Sequence, residues 1–499
     1  NRLLQNSDPA SIYSSAMVAA SLDLPINTNL GFAAIVPYGR VSQFQIMTES
    51  PVPALISRLA LPAITSMMIT NIYNMADTAF IGTLGNSASG AVGIVFGLMA
   101  LIQSIGFLFG QGSGSIISRS LGKKDETNAS TIASMGFFFS FCLGLLFTIF
   151  GLIFLQPLIM FLGSTETIAP YAKCYGIFIL ATAPFLASSF TLNNILRFEG
   201  KAFLGMIGLS SGAILNIAGD ALFIFVFKMG ITGAGLSTAI SMTVSFGILI
   251  SSFLRGKTIC KISIKNLRFN SDHAKKALNI IFTGSPSLFR QGLSSIATIV
   301  LNQQAAYWGF AAVNNADAAV AAMSIVNRIF FFIFSISIGV GQGYQPVCGF
   351  NYGAQKTKRL RQAFWFTTIL AQALMLFTGA IVFIFAPHIV RLFRDDALVA
   401  KLAAYSLRVH CIGILFLPLG MTIDMTMQST GRKIQGILVS SFRSGIIFIP
   451  VILIMGHLRG LYGILESQPV TFMISLLPSG LFGLNYFRYL KKIDSIKNY

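Results

Sequence analysis

Two aspartates lie inside long apolar stretches of this chain. Asp77 lies within Ile64–Ile81, which reads ITSMMITNIYNMADTAFI, and Asp220 lies within residues 209–227, which read LSSGAILNIAGDALFIFVF. A carboxylate can bind a cation or exchange a proton. Because an ionisable side chain at membrane depth is costly to keep, each aspartate is a candidate functional group if these stretches cross a membrane.

Polar residues of neighbouring stretches are expected at the same depth as the two aspartates. Asn216 precedes Asp220 by four positions, so both lie on one face of a helix. Thr238 lies just inside the next apolar stretch. At a rise of about 1.5 Å per residue, Asp77, Asp220 and Thr238 lie about 6 to 10 Å from the same ends of their helices. The matched depth predicts one ion-coupling site formed by these four residues.

The oxygen atoms of this cluster suit either of two ions. Carboxylate, amide and hydroxyl oxygens are the ligands of a hard cation such as Na⁺, and the same carboxylates could carry H⁺ instead. Tyr73, one turn before Asp77, and Asn193 are candidates for the surrounding polar network or for substrate contact. Two alternatives stay open: the cluster forms only a structural hydrogen-bond network between helices, or Asp77 faces the aqueous edge.

The second half of the chain departs from this pattern. The seventh apolar stretch of the chain has Gln304 just beyond its C-terminal end and no acid near that end. The tenth stretch contains Asp424. Asp424 either binds a cationic substrate or belongs to a polar network, in which Arg290 or Arg328 is a candidate partner. His410 is isolated in the sequence and is expected to contact solvent or lipid headgroups.

The composition is that of a membrane protein. Of 499 residues, 54% are apolar and only 10% are charged, whereas soluble domains carry roughly 25% charged residues. The five cysteines are scattered and form neither a disulfide framework nor a zinc motif. A transmembrane helix needs about 20 apolar residues. We predict twelve such spans, at residues 57–81, 91–114, 131–155, 172–195, 204–227, 234–254, 276–300, 318–342, 363–386, 402–425, 434–456 and 463–487.

The net charge of +19 is explained by membrane topology rather than by nucleic-acid binding. Lys and Arg concentrate in alternate connections, such as 119–124, 255–276, 356–361 and 488–497. Because cytoplasmic loops carry this excess, we predict a multi-pass plasma (inner) membrane protein with both ends of the bundle in the cytoplasm. The basic groove with interleaved aromatic residues that binds nucleic acid is not found in the sequence.

The sequence contains an internal repeat. Residues 104–124, SIGFLFGQGSGSIISRSLGKK, match residues 335–355, SISIGVGQGYQPVCGFNYGAQ, at an offset of 231 positions. The same offset places Gly200 on Gly431. Six predicted spans precede the long basic loop and six follow it, and an even number keeps both copies in one orientation. The fold class is therefore predicted as an all-α membrane bundle of two parallel six-helix repeats.

The predicted spans divide the chain into two lobes. Met47 would make an ordinary start, so the residues before it are expected to be a disordered extension or a mis-annotated start. The predicted parts are an extension at 1–46, an N-lobe at 47–255, a basic cytoplasmic loop at 256–276, a C-lobe at 277–490 and a cytoplasmic tail at 491–499.

Three segments carry a resemblance to a known family. They are YNMADTAFIG (73–82), GAILNIAGDALFIF (212–225) with GITGAGLSTA (230–239), and GQGYQPVCGFNYGA (341–354). Together they resemble the multidrug and toxic compound extrusion (MATE) family over about residues 50–490. Because the seventh span lacks an acid, the chain is more similar to the DinF-like and MepA-like bacterial members than to the NorM-like ones.

The resemblance implies an antiporter of V-shaped, two-lobe architecture. Cationic amphiphilic drugs or toxins would leave the cell as H⁺ or Na⁺ enters, while the lobes alternate between inward-open and outward-open states. The residues that match the family's functional positions are the acid Asp77, the helix-bending Pro62, and Asn216, Asp220 and Thr238. The family usually has proline after the second acid, whereas Ala221 stands here. We further expect a monomer with small cationic organic substrates, contact with the lipid bilayer, and no cofactor beyond the coupling ion.

Other functions require features that the sequence lacks. A lipid-linked oligosaccharide flippase of the same superfamily would have several cationic residues around a cavity in the first lobe, and the first six spans hold no such set. An integral-membrane enzyme such as a prenyltransferase would have an aspartate-rich Mg²⁺ motif, but Asp395 and Asp396 stand alone in a loop. A channel is disfavoured because one asymmetric ion site in a two-lobed repeat suits alternating access.

Overall fold

The structure of the protein is a computed structural model that describes residues 43–267, 271–393 and 396–497. Within these ranges the chain consists of helices joined mostly by short turns, with one longer connection after Leu254, and no strand is present. The helices are α1 (Gln43–Glu49), α2 (Val52–Gly82), α3 (Asn86–Gly122), α4 (Glu126–Ile153), α5 (Leu155–Phe161), α6 (Ala169–Ala181), α7 (Ala183–Phe198), α8 (Ala202–Asp220), α9 (Gly230–Leu254), α10 (Ser271–Val313), α11 (Ala316–Gly353), α12 (Thr357–Arg391), α13 (Ala397–Gly413), α14 (Leu417–Ser429), α15 (Lys433–Ser441) and α16 (Phe448–Lys497).

Most of these helices can cross a membrane. In the described chain, nine helices are long and apolar enough, or ten if α6 and α7, which meet at 52°, form one bent span. The apolar segment Lys433–Ser495 contains the last two predicted spans, which Gly460 separates with its non-helical φ of 58° and ψ of −136°. Helix α10 contains the seventh predicted span but is not among these apolar helices, because polar residues such as Arg290 and Gln291 interrupt its apolar stretch.

The two halves meet through glycines at equivalent positions of the repeat. Gly122 at the end of α3 lies against the backbone of Phe350, and Gly353 at the end of α11 lies against the backbone of Arg119. Gly122 and Arg119 correspond to Gly353 and Phe350 at the offset of 231 positions, so the second contact is the repeat counterpart of the first. A Cβ atom on either glycine would collide with the facing carbonyl oxygen, so only glycine permits this approach. The reciprocal contacts confirm the two repeats expected from the sequence.

The hydrophobic cores show where the halves join. One core contains residues of both halves, among them Ile117 and Leu121 of α3 with Val347 and Phe350 of α11, close to the basic connections. Three further cores among the described residues are each confined to one half, and the two larger ones lie toward the opposite ends of the helices. The halves therefore pack together at the end that carries the basic connections and pack separately at the other end.

Helix α1 links the two halves at this shared end. Asn351 Nδ2 donates a hydrogen bond to the carbonyl oxygen of Met47 at 3.1 Å, and Gln43 Nε2 donates to that of Gly200 at 3.4 Å. The last four residues of the predicted extension are thus helical rather than disordered. Its remaining part, 1–42, lies outside the described residues.

The predicted basic loop folds back on the first half. Glu199, buried in the turn between α7 and α8, accepts hydrogen bonds from the backbone N–H groups of Ile259 at 3.0 Å and Cys260 at 3.2 Å. Burial desolvates the charged carboxylate and raises the pKa of Glu199. Helix α10 begins at Ser271, inside the loop that was predicted to reach residue 276, and residues 268–270 lie outside the description.

Candidate functional site

The two aspartates lie at corresponding ends of neighbouring helices. Asp77 is near the end of α2, which runs from Val52 to Gly82, and Asp220 is the last residue of α8. A π-helical turn, Ala221–Val226, follows Asp220 directly. Such turns widen a helix and often occur at functional sites. The helix therefore changes shape after this acid although alanine replaces the proline that the family usually has there.

The side chains of Asp77 and Asp220 are direct neighbours. Asp77 is 9% exposed and Asp220 is 0% exposed, and each carboxyl group interacts with the other. The phenol groups of Tyr73 and Tyr175 are close enough to interact electrostatically with both. The structure thus brings together two acids that are far apart in the sequence.

The acids have unsatisfied hydrogen-bonding capacity. Asp77 Oδ1, both carboxylate oxygens of Asp220 and Asn216 Oδ1 are buried and accept no hydrogen bond. None of the ion pairs between described side chains includes either aspartate. Two adjacent buried carboxylates without a basic partner are costly unless a proton or a cation compensates their charge. The arrangement is therefore suited to taking up H⁺ or a monovalent metal ion.

Helix α9 completes the polar cluster. Asn216 Nδ2 donates hydrogen bonds to Thr238 Oγ1 at 3.1 Å and to Ser237 Oγ at 3.4 Å, and Ser237 Oγ donates to the Asn216 carbonyl oxygen at 3.1 Å. Tyr175 Oη lies 3.4 Å from Thr238 Oγ1. These bonds orient the Asn216 amide so that its oxygen is left free beside the acids. The structure thus brings Asp77, Asn216, Asp220 and Thr238 into one cluster.

A cavity adjoins this cluster, and its empty space of about 600 Å³ includes the part that is open to solvent. Its walls come from α2, α3, α7, α8 and α9, so it lies within the predicted N-lobe. The polar side chains in its walls are hydroxyl, amide and phenol groups, with no basic residue among them; they include Tyr73, Gln103, Ser189, Asn216, Thr238 and Ser241. Leu186, Phe190 and Met242 supply apolar surface. Apolar surface with a few polar groups is the lining expected of a site for an amphiphilic molecule.

Three residues predicted for a substrate or polar network lie away from the acids. The Asn193 side-chain oxygen lies against Gly205, eleven positions before Asn216, which corresponds to about 16 Å along α8. Gln304 accepts a hydrogen bond from Trp308 Nε1 at 3.2 Å on its own helix. Asp424 lies in the second half and pairs with Arg290 at 3.3 Å. The side chain of Asn193 therefore does not complete the acid cluster.

Pro62 lies within α2, well before Asp77. Proline has no N–H, so the carbonyl oxygen of Arg58 lacks its helical partner. Backbone atoms of Ala60 and Ile64, on either side of the proline, approach Gly343 and Gly339 of α11. The weakest part of α2 therefore lies at the contact between the two halves.

Sequence reasoning missed two residues of the acid cluster and misjudged a third residue elsewhere. Tyr175 and Ser237 belong to the acid cluster, but neither position stands out in an apolar stretch; only the adjacency of Ser237 to Thr238 could have suggested it. His410 is fully buried, with Nδ1 2.8 Å from the carbonyl oxygen of Ser406 and Nε2 3.2 Å from Gln468 Oε1. The expectation that His410 contacts solvent or headgroups is wrong, because neighbouring helices cover it.

Within the described ranges, no group of three or more His, Cys, Asp or Glu side chains is placed to hold a metal ion. A hard monovalent cation would instead use the two carboxylates together with neutral oxygens such as Asn216 Oδ1. The chemistry of the acid cluster thus fits H⁺ or Na⁺ and does not resemble a structural transition-metal site.

Curated relatives match the chain along most of its length. The Multidrug export protein MepA of Staphylococcus aureus (strain MRSA252) is 27% identical over 427 residues, which cover 85% of this chain and 92% of that protein. The protein of the same name from Staphylococcus saprophyticus subsp. saprophyticus is 28% identical over 426 residues, which cover 85% and 91%. The similarity includes both halves.

Solved structures show the same fold. One is described as the outward-facing conformation of a multidrug resistance MATE family transporter of the MOP superfamily; it is 25% identical, covers 90% of this chain and 99% of its own, and has a TM-score of 0.84. Crystal structures of MATE in the straight and bent conformations are also 25% identical, with TM-scores of 0.84 and 0.82. The two-lobe architecture predicted from the sequence is confirmed.

A sequence profile of the MatE family matches residues 62–222 and 306–454. The first segment contains Asp77, Asn216 and Asp220, and the second contains Asp424. The matched residues make up more than half of the chain and include both repeats. The relatives are membrane transporters rather than enzymes. This chain therefore belongs to the MatE family of transporters.

Proposed function

We propose that the protein is a secondary antiporter that exports small cationic amphiphilic compounds in exchange for H⁺ or Na⁺. The observation that carries the proposal is the pair Asp77 and Asp220, two adjacent buried carboxyl groups with no basic partner beside a cavity lined by apolar and neutral polar side chains. Relatives named multidrug export proteins support the substrate class.

The coupling ion would bind at the acid cluster. Four buried oxygen atoms of Asp77, Asp220 and Asn216 accept no hydrogen bond, so a cation placed among them would gain ligands without displacing existing donors. A proton shared between the adjacent carboxyl groups would remove one negative charge in the same place. Either ion reduces the repulsion between the two adjacent carboxylates, so the same site could couple transport to a H⁺ gradient or to a Na⁺ gradient.

The substrate would occupy the neighbouring cavity. Its walls combine apolar side chains such as Phe190 and Met242 with the phenol of Tyr73, and aromatic faces attract organic cations. The absence of basic residues from the walls of this cavity favours a cationic ligand over an anionic one. It also disfavours a flippase for anionic lipid-linked sugars, which would need cationic groups there.

Transport would proceed by alternating access of the two lobes. A shared core at the basic end with separate cores at the other end would suit an outward-facing state, and a solved relative of 25% identity is described as outward-facing. The basic connections support a cytoplasmic position for the shared end. An ion can shift the lobes only through different affinities for the two states; the contact of α2 with α11 around Pro62 would transmit this difference.

Export of ethidium tests the proposal. Right-side-out cells or proteoliposomes containing the full chain would be loaded with dye, and the H⁺ and Na⁺ gradients would be collapsed separately. We expect export to stop when the gradient of the coupling ion is collapsed and to continue when the other gradient is collapsed. The variants Asp77→Asn and Asp220→Asn should lose gradient-driven export, because an amide neither binds the proton nor contributes charge.

Asp317→Asn is the matched control. Asp317 is an exposed acid at the start of α11 and does not line the cavity beside the acid cluster, so this variant should export dye at the native rate. Full coupled export by both Asp77→Asn and Asp220→Asn would refute the assignment of the ion site. Export that continues with both gradients collapsed would refute antiport.

A further inference from the structure

A chain of buried polar side chains crosses the contact between the two halves. Its members are Ser115 of α3, Arg197 of α7, Gln345 of α11 and Gln428 of α14. Each of them is at most 3% exposed, and their neighbours in the sequence belong to the core that both lobes share. Because buried polar groups need hydrogen-bond partners, the packing of the lobes decides whether these four side chains are satisfied.

Arg197 reaches from the N-lobe to the C-lobe. Its Nη1 donates hydrogen bonds to Gln345 Oε1 at 2.8 Å and to the carbonyl oxygen of Gln342 at 3.2 Å. Its Nη2 donates to Asn194 Oδ1 on its own helix. Both glutamines belong to the segment 341–354, to which the acid cluster gives no role. The guanidinium group of Arg197 therefore joins α7 of one lobe to α11 of the other.

Gln345 extends the chain to the repeat counterpart of Arg197. Gln428 occupies the position equivalent to Arg197 at the offset of 231 positions, and Gln345 Nε2 donates a hydrogen bond to Gln428 Oε1 at 3.0 Å. Ser115 Oγ of the N-lobe donates to the carbonyl oxygen of Gln428 at 2.7 Å. Three buried hydrogen bonds thus cross between the lobes and join α3 and α7 to α11 and α14.

The guanidinium group in this chain has no acidic partner. None of the ion pairs between described side chains includes Arg197, and its Nε is buried without an acceptor. It lies within electrostatic range of a second guanidinium, that of Arg290 in the C-lobe. A buried charge held only by neutral oxygens is costly, and the two like charges repel each other across the interface. Separation of the lobes would hydrate Arg197 and move it away from Arg290.

We propose that Ser115, Arg197, Gln345 and Gln428 form a latch, which holds the lobes together at the end that carries the basic connections and is released when the lobes rock apart there. The hydrogen bonds between the lobes favour the closed state, and the uncompensated charge of Arg197 limits how strongly they favour it. The latch rests on the alternating access of the proposed function. It adds to that function the residues that set the balance between the two states.

The rate at which a buried thiol is alkylated tests the latch. Ser118 of α3 is 0% exposed and lies against Gly349 of α11, so Ser118→Cys places a reporter thiol between the lobes. The purified full chain with this reporter would be treated with N-ethylmaleimide, and peptide mass spectrometry would follow the label at position 118 alone. When the lobes open rarely and close quickly, the labelling rate is proportional to the population of the open state.

Removal of a bond of the latch should increase the labelling rate at position 118. Gln345→Ala removes the side-chain acceptor of a buried guanidinium group, so we expect the rate to rise about tenfold or more. Ser115→Ala removes one hydrogen bond between neutral groups and should raise the rate about two- to tenfold. If Gln345→Ala does not fold, Ser115→Ala, which removes a single hydroxyl group, decides.

Each of these substitutions has a matched control in the same lobe. Ser113→Ala lies two positions from Ser115, but Ser113 Oγ donates only to carbonyl oxygens of its own helix. Gln372→Ala removes an amide whose hydrogen bond, at 3.5 Å to the carbonyl oxygen of Ile414, stays within the C-lobe. Neither control should change the labelling rate at position 118. A second reporter, Ser140→Cys, is buried in α4 of the N-lobe and should be labelled equally slowly in every variant.

Equal labelling rates at position 118 with and without Gln345→Ala and Ser115→Ala would overturn the proposal. An equally large rise in a control variant, or at the Ser140→Cys reporter, would overturn it as well, because such a rise is not specific to the contact between the lobes. Antiport is measured separately, by ethidium export with the H⁺ and Na⁺ gradients collapsed. Unchanged labelling together with gradient-driven export would refute the latch alone, and faster labelling without such export would refute antiport alone.

Discussion

Ser118 of α3 lies directly against Gly349 of α11, its own counterpart at the repeat offset of 231 positions. A residue can contact its counterpart only on the axis that relates the two repeats. The axis of this two-lobed protein therefore passes between α3 and α11, at the end where the lobes share one core. Movement of one lobe relative to the other must change the packing at this point.

The glycine contacts beside this axis predict the first mutational effect. Gly353→Ala would place a methyl group on the backbone of Arg119, and Gly122→Ala would place one on the backbone of Phe350. Neither backbone can move without shifting a helix, so we expect each variant to lose about 1–3 kcal/mol of stability. The midpoint of thermal unfolding in detergent should fall for both.

Gly97→Ala provides the comparison for these variants. Gly97 lies in α3, the same helix as Gly122, and has no atom within 4 Å of the position of an added Cβ. Alanine is favoured over glycine inside a helix by roughly 0.5–1 kcal/mol, so the midpoint should stay level or rise. A rise for all three variants would show that the lobes do not need close contact at these glycines.

The bond between Asn216 and Thr238 predicts a second effect. Thr238→Val keeps the shape of the side chain but removes the acceptor of the 3.1 Å hydrogen bond from Asn216 Nδ2. We expect a loss of about 1 kcal/mol and slower gradient-driven dye export, because the Asn216 amide would no longer be held beside the acids. Unfolding midpoints and initial export rates measure the two effects.

Thr243→Val is the matched control on the same helix. Thr243 Oγ1 donates only to the carbonyl oxygen of Ala239 on its own helix, so export should keep its native rate. If Thr238→Val and Thr243→Val behave alike, the orientation of Asn216 is not important for transport.

The docking of the basic loop predicts a change in proteolysis. Glu199→Ala removes both acceptors of the Ile259 and Cys260 backbone N–H groups. The loop should then detach more often, and trypsin should cleave after Lys257 or Lys261 several times faster. Glu166→Ala, which replaces an exposed acid of another turn, should be cleaved at the native rate. Unchanged cleavage of Glu199→Ala would mean that other contacts hold the loop.

Glu199 also predicts a pH dependence of stability. Its pKa is raised in the folded protein above the ordinary value of 4.5 by burial, so the folded state binds the proton more tightly than the unfolded state. The stability contributed by this proton is present at low pH and is lost as pH rises through the folded pKa. The unfolding midpoint of the native protein should therefore rise relative to that of Glu199→Gln as pH falls from neutral toward 4.5. A constant difference would contradict the raised pKa.

Much of the site could be predicted from local patterns. Asn216 and Asp220 share a helix face because they are four positions apart, and Thr238 matches their depth because a short connection joins α8 to α9. The same reasoning failed for Asn193, whose side chain turns toward Gly205. Depth along a helix can be counted from the sequence, whereas the direction in which a side chain points depends on how the helix is rotated against its neighbours.

The cavity beside the acid cluster was also beyond sequence reasoning. Gly212 and Ser241 lie in different helices, and only their packing shows that both line one cavity. His410 was misjudged for a related reason. Its isolation in the sequence suggested contact with solvent, but neighbouring helices cover its ring, which makes three polar contacts.

By itself, the sequence determined the membrane environment, the two repeats and the family, because apolar stretches, charge distribution and repeated glycine motifs are properties of the chain order. Only the tertiary structure decided that Asp77 and Asp220 are neighbours without a basic partner and that Asp424 pairs with Arg290. These relationships arise between helices distant in the chain, and they depend on helix rotation and close packing rather than on spacing along one segment.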